Sequence, residues 1–119
     1  MYLAADDVAT LARDLAAVPG FRWWLLELAS PELLRIVNKD WKDALERGNA
    51  PFRFAPAEGT AFFSPFGWRE VEYRTLWDEG HRLRRQVPSM WFWRLLTRFA
   101  PPERREAIRR MWAFVLFGR

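Results

Sequence analysis

Residues 21–30 read "FRWWLLELAS", a nearly continuous apolar run that lies between Gly20 and Pro31. A short run of this kind, rich in aromatic residues and bounded by turn formers, is typical of a strand that is covered on both faces, as in a parallel sheet. It constrains the fold more than any other segment, because such a strand needs neighbouring strands and covering helices.

Helices are predicted on both sides of this strand. Apolar positions three and four residues apart indicate a first helix that Asp6 or Asp7 caps and that Pro19 and Gly20 end. Ser30 caps a second helix, which Gly48 ends, with Pro31 at its first position. The buried face of this second helix is expected to comprise Leu33, Leu34, Val37, Trp41 and Leu45.

A second strand is predicted over residues 68–76, after a short helix near residues 57–63. There Val71, Tyr73 and Thr75 alternate with charged residues, which indicates a strand that has one solvent-exposed face or lies at a sheet edge.

The C-terminal third is predicted to hold helices at 78–86 and 89–99, which Pro88 separates, and a further helix from Pro102. Residues 111–118 either prolong that last helix or form a third strand, and their Trp, Phe and Val content favours the strand. We therefore expect one α/β domain over residues 1–119, with three strands.

Composition excludes several classes of function. The 119 residues contain no cysteine and one histidine, which excludes disulfides, cysteine nucleophiles and multi-histidine metal sites. The six glycines are scattered, so no glycine-rich phosphate loop is present. No apolar run approaches membrane-spanning length and no signal peptide is recognisable, so we expect a cytoplasmic location.

The net charge of +4 comes from the C-terminal region, where residues 78–119 carry ten arginines against four acids. Within it lies "SMWFWRLLTRF", residues 89–99, for which three functions are open. Arginines and aromatics together bind nucleic acid, and a tryptophan-rich basic helix also lies in membrane interfaces. Because Trp91, Leu95 and Phe99 share one helical face, we favour an amphipathic helix that packs on its own domain.

Among the titratable residues, His81 lies between acids and arginines, which favours a solvated surface histidine over a general base. Glu70 and Glu72 are two apart on a strand and should share a face, where cross-strand pairing with arginines is favoured over acid–base catalysis. Glu27 is an acid inside an apolar strand, so it needs either a polar partner or a ligand at the strand end. Both interpretations of Glu27 stay open.

Several segments, in order over nearly the whole chain, resemble one enzyme family. "MYLAADDVATLARDLA" resembles a strand end that leads into a helix, and "WWLLELASP" resembles a fifth strand. "FRFAPAEGTAFFSPFGWREVE" resembles a short helix and the entry to a sixth strand, and "PPERREAIRRMWAFVLFGR" resembles a closing strand. These segments resemble the leucine carboxyl methyltransferase family, whose members depend on S-adenosylmethionine.

The resemblance implies a partial Rossmann-like methyltransferase fold that contains the fifth, seventh and sixth strands, with the seventh central and antiparallel to both neighbours. The family's first half, with the glycine-rich loop and the acidic residue that bind the cofactor, has no counterpart in these residues. Trp112 and Ala113 also replace the Ser-Gly that is usual in the closing motif.

The resemblance places Tyr2 near the substrate cleft and Glu27 to Ser30 at the strand end that faces it, while Trp91 and Trp93 would wall the cleft. No catalytic residue and no metal ligand are assigned. The expected function is the substrate-side half of an O-methyltransferase-like protein, which becomes an enzyme only when the cofactor-binding half completes it. S-adenosylmethionine is the cofactor that the resemblance implies for the complete fold, and we expect this chain alone to bind no cofactor.

The alternative function is a small interaction protein that uses exposed aromatic and basic surface to self-associate or to dock on a membrane or a partner. In either case the expected partner is a second copy of the chain or the missing half, together with a small-molecule acceptor for the enzyme. Nucleic acid is not expected as a partner, and neither is a membrane under the favoured function.

Overall fold

The central feature of the fold is a three-stranded antiparallel sheet with helices around it, seen in a computed structural model that describes residues 2–84 and 100–119. The strands are β1 (Trp23–Ala29), β2 (Arg69–Thr75) and β3 (Trp112–Gly118). Their order across the sheet is β1-β3-β2, and β3 runs antiparallel to both neighbours. The prediction of a strand rather than a helix at residues 111–118 is therefore confirmed.

The helices follow the predicted order. In the described residues they are α1 (Ala5–Ala17), α2 (Pro31–Asp40), α3 (Lys42–Arg47), α4 (Leu76–Arg82) and α5 (Pro102–Arg109), and a 3-10 segment spans Gly59–Phe66. The predicted helix at 89–99, with Trp91 and Trp93, lies outside the described residues.

Local hydrogen bonds confirm one of the two predicted helix caps and correct the other. The Ser30 hydroxyl accepts a 3.1 Å bond from the backbone N–H of Leu33, as expected of an N-cap serine. The N-cap of the first helix is Ala4, two or three residues before the predicted cap at Asp6 or Asp7, and the Asp7 carboxylate instead accepts the Ala4 N–H at 3.1 Å from within the first turn.

The core lies between one face of the sheet and the layer formed by α1 and the 3-10 segment. Its largest fully buried side chains are Trp68, Phe63, Phe117 and Val115. Phe63 and Phe117 have ring centres 4.6 Å apart. The Trp68 indole donates a 2.9 Å hydrogen bond to the Ala12 carbonyl, which fixes α1 to the sheet layer.

The opposite face of the sheet, here called the open face, carries exposed apolar side chains: Trp23, Leu25, Val71 and Phe114. This arrangement corrects the prediction that the first strand is covered on both faces within a parallel sheet. β1 instead lies at an edge, next to an antiparallel β3, and its side chains alternate between the core and the open face. The same apolar run fits a strand covered on both faces and an edge strand with one open face. Which of the two forms depends on distant segments that pack against the strand, and the run itself does not show this.

Gly118 shows how closely the open face is packed at one end. A Cβ atom at this position would lie 2.9 Å from both the Trp23 ring and the Val71 Cγ2 atom. The absence of a side chain on β3 therefore lets the outer strands β1 and β2 bring their side chains together above it.

The helical region 31–47 differs from the prediction in two respects. It is interrupted at Trp41, whose backbone is not helical (φ −108°, ψ 18°), and α3 begins after it. Trp41 was predicted to be buried but is 56% exposed. The Asn38 side chain closes the loop that follows: its amide donates to the Phe52 carbonyl at 2.9 Å and its oxygen accepts the Phe52 N–H at 3.3 Å.

Candidate functional site

A pocket of about 220 Å³ lies at the C-terminal end of β1, and we call it the β1-end pocket. It is formed by the strand end and the first turn of α2, by the loop that leads into the 3-10 segment, and by one residue each from β2 and from the turn before β3. It is lined by Leu28, Ala29, Ser30, Pro31, Pro56, Ala57, Glu58, Gly59, Thr60, Tyr73 and Arg110.

Ser30 is the predicted site residue that the structure places in this pocket. Its backbone N–H donates to the Met111 carbonyl at 2.8 Å, which holds the end of β1 against the start of β3. Its hydroxyl oxygen caps α2, as described above. Ser30 is therefore fixed in position by contacts on both sides.

Tyr73 and Arg110 form the opposite wall of the pocket. The Tyr73 hydroxyl donates a 3.0 Å hydrogen bond to the Arg110 carbonyl. The Arg110 guanidinium lies over the Tyr73 ring, with its carbon 4.5 Å from the ring centre, which is a cation–π contact. Within the described ranges, Arg110 makes no ion pair, so its donors can serve a ligand that carries an anionic or carbonyl oxygen.

Two further polar residues border the pocket on its other side. The Thr60 hydroxyl donates to a Glu70 carboxylate oxygen at 2.7 Å. Glu58 makes no ion pair with any described residue. The β1-end pocket thus carries a cation and a carboxylate on different walls, a lining suited to hold and orient a small polar molecule.

Glu27 lies on the open face and not in the pocket. Its carboxylate accepts a hydrogen bond from the Trp112 indole N–H of the neighbouring strand. This contact supplies the polar partner that an acid within an apolar strand needs. The structure therefore does not bring Glu27 and Ser30 to the same site.

Tyr2 lies apart from the pocket, close to the N-terminus of α1. Its ring centre is 5.1 Å from that of Phe52, and the side chain is 60% exposed. Trp91 and Trp93, the other two predicted substrate-site residues, fall outside the described ranges, so their role in a cleft stays a prediction.

Glu70 and Glu72 do not share a face, contrary to the sequence prediction. The register of β2 shifts between them, so Glu70 pairs with Phe117 and Glu72 pairs with Leu116. Such a bulge inserts a residue and reverses which side chains point to each face. Glu72 does pair with an arginine, but with Arg74 of its own strand, whose Nε lies 2.7 Å from the carboxylate.

A charged cluster links α4 to α5, away from the pocket. Arg109 donates to both carboxylate oxygens of Asp78 at 2.9 Å, and the Thr75 hydroxyl donates to Asp78 at 2.6 Å. These bonds, led by those from Arg109, hold the pKa of Asp78 below its ordinary value of 3.8. His81 is exposed on α4, with its ring centre 6.2 Å from that of Trp77.

No group of three or more His, Cys, Asp or Glu side chains in the described residues is arranged to hold a metal ion. Over the same ranges, none of the helices combines the length and the apolar character needed to cross a bilayer. Comparison with protein-family models, with curated proteins and with solved structures finds no match to this chain.

Proposed function

We propose that the chain is the substrate-side, C-terminal part of an O-methyltransferase-like protein that depends on S-adenosylmethionine, and that it transfers no methyl group alone. One observation carries the proposal: the last strand is central and antiparallel to both neighbours, in the order β1-β3-β2. This is the arrangement that the family resemblance implies for the fifth, seventh and sixth strands.

The position of the β1-end pocket supports the same proposal. In open α/β sheets, ligands bind at the C-terminal ends of the strands, and this pocket lies at that end of β1. S-adenosylmethionine would supply the methyl group in the complete protein. The contribution of this chain is then to orient an acceptor oxygen, with Ser30 and Arg110 as the binding groups, since methyl transfer depends mainly on positioning.

The described residues do not fit the cofactor itself. A glycine-rich turn after a strand is the usual cradle for such a ligand. Here β1 leads through Ser30 directly into α2, and β2 leads directly into α4 at Leu76. Neither connection contains a glycine, so the chain has no cradle at these strand ends.

Calorimetric titration with S-adenosylmethionine tests the proposal. We expect no binding in the micromolar range for the chain alone. We expect binding when the chain is mixed with a separately produced cofactor-binding half of a leucine carboxyl methyltransferase, which supplies the strand beside β1. The matched control is the same mixture with Leu25→Lys, because a lysine on the edge strand blocks strand pairing.

Micromolar binding by the chain alone would overturn the proposal. So would a mixture that binds no better than the added half does by itself.

A second candidate function is self-association or docking through exposed apolar surface. It is favoured by Trp23 and Leu25, which are 58% and 66% exposed on an edge strand. Light scattering at high micromolar concentration is expected to show a dimer or a larger oligomer, and a monomer would argue against it. Co-sedimentation with anionic vesicles that weakens as salt is added would instead identify a membrane as the partner.

A further inference from the structure

The backbone of β1 offers one row of hydrogen-bonding groups to β3 and a second row outward. The Arg22 carbonyl accepts from the Arg119 N–H at 3.2 Å, and the Ser30 N–H donates to the Met111 carbonyl at 2.8 Å. Both residues are even-numbered, and in an antiparallel pair alternate residues face the partner strand. The outward groups therefore belong to the odd-numbered residues of the strand: Trp23, Leu25, Glu27 and Ala29.

The two edges of the sheet differ in how they are protected. Edge strands are usually guarded by charged side chains, by proline or by a bulge, since these prevent pairing with other chains. β2 has two of these protective features. A bulge shifts its register, and four of its seven residues are charged: Arg69, Glu70, Glu72 and Arg74. β1 has no proline, lysine, arginine or bulge, and its one charged residue is Glu27.

Glu27 gives this edge little protection against pairing with another strand, because its carboxylate is already hydrogen-bonded to the Trp112 indole across the open face. The exposed edge between Trp23 and Ala29 is about 23 Å long at the usual rise of a strand. No described residue pairs with it, since β1 is the outer strand of the sheet.

We propose that β1 pairs antiparallel with β1 of a second copy of this chain, around a two-fold axis at Leu26, to form a continuous six-stranded sheet. Trp23 of one copy then lies opposite Ala29 of the other, so that a large side chain meets a small one. Leu25 of one copy lies opposite Glu27 of the other. Every outward N–H and C=O of the strand finds a partner in this register.

Neighbouring registers are less favourable. An axis at Glu27 places the two carboxylates directly opposite each other, and like charges in that position are destabilising. An axis at Leu25 leaves the outward groups of Ala29 beyond the paired region. The self-complementary register at Leu26 is the reason for choosing a second copy over another partner.

The proposal rests on the second candidate function, self-association, and not on the methyltransferase proposal. Sedimentation velocity over the micromolar range tests it with two matched variants, Leu25→Glu and Val71→Glu. Both replace an exposed apolar residue of the open face by glutamate, so both should fold, but only Leu25 lies on β1, where the new carboxylate of one copy lies opposite Glu27 of the other. We expect the wild type and Val71→Glu to dimerise, and Leu25→Glu to dimerise at least tenfold more weakly.

Amide hydrogen exchange gives an independent measurement on the wild type. Leu26 and Leu28 face β3 and should exchange slowly at every concentration. Leu25 and Glu27 should exchange rapidly in the dilute protein and slowly in the dimer, because their N–H groups become bonded only across the new interface.

A wild-type monomer throughout the range would overturn the proposal. Loss of the dimer in both glutamate variants would also overturn it, since it would indicate face-to-face packing of the open faces. A dimer in which Leu25 and Glu27 still exchange rapidly, or one that Leu25→Glu leaves intact, would do the same. The cofactor titration of the chain alone tests the methyltransferase proposal separately, and its result changes none of these outcomes.

Discussion

Replacing Trp68 by phenylalanine removes a buried hydrogen bond between α1 and the residue that precedes β2. Trp68 is fully buried, its indole N–H donates to the Ala12 carbonyl at 2.9 Å, and its ring centre lies 5.5 Å from that of Trp24. The Ala12 carbonyl lies inside a helix and keeps its helical hydrogen bond, so the substitution leaves no orphaned acceptor. The cost comes from the lost bond and from the smaller ring.

The magnitude follows from these two terms. A net hydrogen bond contributes about 1 kcal/mol. The phenyl ring leaves a void of roughly 40 Å³, which at about 24 cal/mol per Å³ costs about 1 kcal/mol, and the lost burial of the ring atoms adds to it. We expect the free energy of unfolding to fall by about 2 to 3 kcal/mol, out of a total of about 5 to 15 kcal/mol for a domain of this size.

Urea denaturation followed by far-ultraviolet circular dichroism measures this change without relying on tryptophan emission. The matched control is Trp23→Phe, the same substitution at a side chain that is 58% exposed, where we expect a cost under about 0.5 kcal/mol. Equal costs at the two positions would refute the reasoning, because Trp68 would then be no more buried or bonded than Trp23.

Two further predictions concern the connections around β2 and β1. The lowered pKa of Asp78 means that its bonds to Arg109 and Thr75 stabilise the fold above pH 3.8, and that this contribution is lost as the pH falls through the lower folded value. Asp78→Asn should therefore flatten the acid limb of a plot of unfolding free energy against pH, and an unchanged acid limb would contradict the assignment. Ser30→Ala removes the acceptor for the Leu33 N–H and should lower stability by about 1 kcal/mol, measured as a lower thermal midpoint, whereas Ser30→Thr keeps the cap and should restore most of it.

Local features of the fold were predictable from the sequence because their causes lie within a few residues. The Ser30 cap depends only on the serine and the proline that follows it. The strand at 111–118 depends on its own β-branched and aromatic residues, and the 3-10 segment on its prolines and glycines. The resemblance also implied where β3 lies in the sheet, which residue patterns alone could not give.

Features that depend on distant segments were missed. The exposure of Trp23 and Leu25 depends on what covers the sheet, and their apolar character suggested cover that the described residues do not supply. The bulge between Glu70 and Glu72 arises from pairing with β3, and neither residue marks it in the sequence.

The candidate site was predicted only in part for the same reason. Ser30 was expected at the end of β1, and the pocket is there. Its opposite wall, Tyr73 and Arg110, was not expected, because these residues are 37 positions apart and meet only through the packing of β2 against β3. A tyrosine on a strand and an arginine in a basic helical region carry no local signal of a shared pocket.

The central position of β3 also determines the order in which this sheet can be built. Trp23 pairs with Gly118, and Arg69 pairs with the same glycine, so the two outer strands are joined only through a strand that is synthesised after both. Until β3 is available, neither β1 nor β2 can form the pairing seen in the described sheet, and pairing over such a long stretch of chain is slow. The edge of β1 that β3 later covers therefore stays open during that interval, and because this strand lacks the charged residues of β2, it is a segment to which chaperones or other chains can bind.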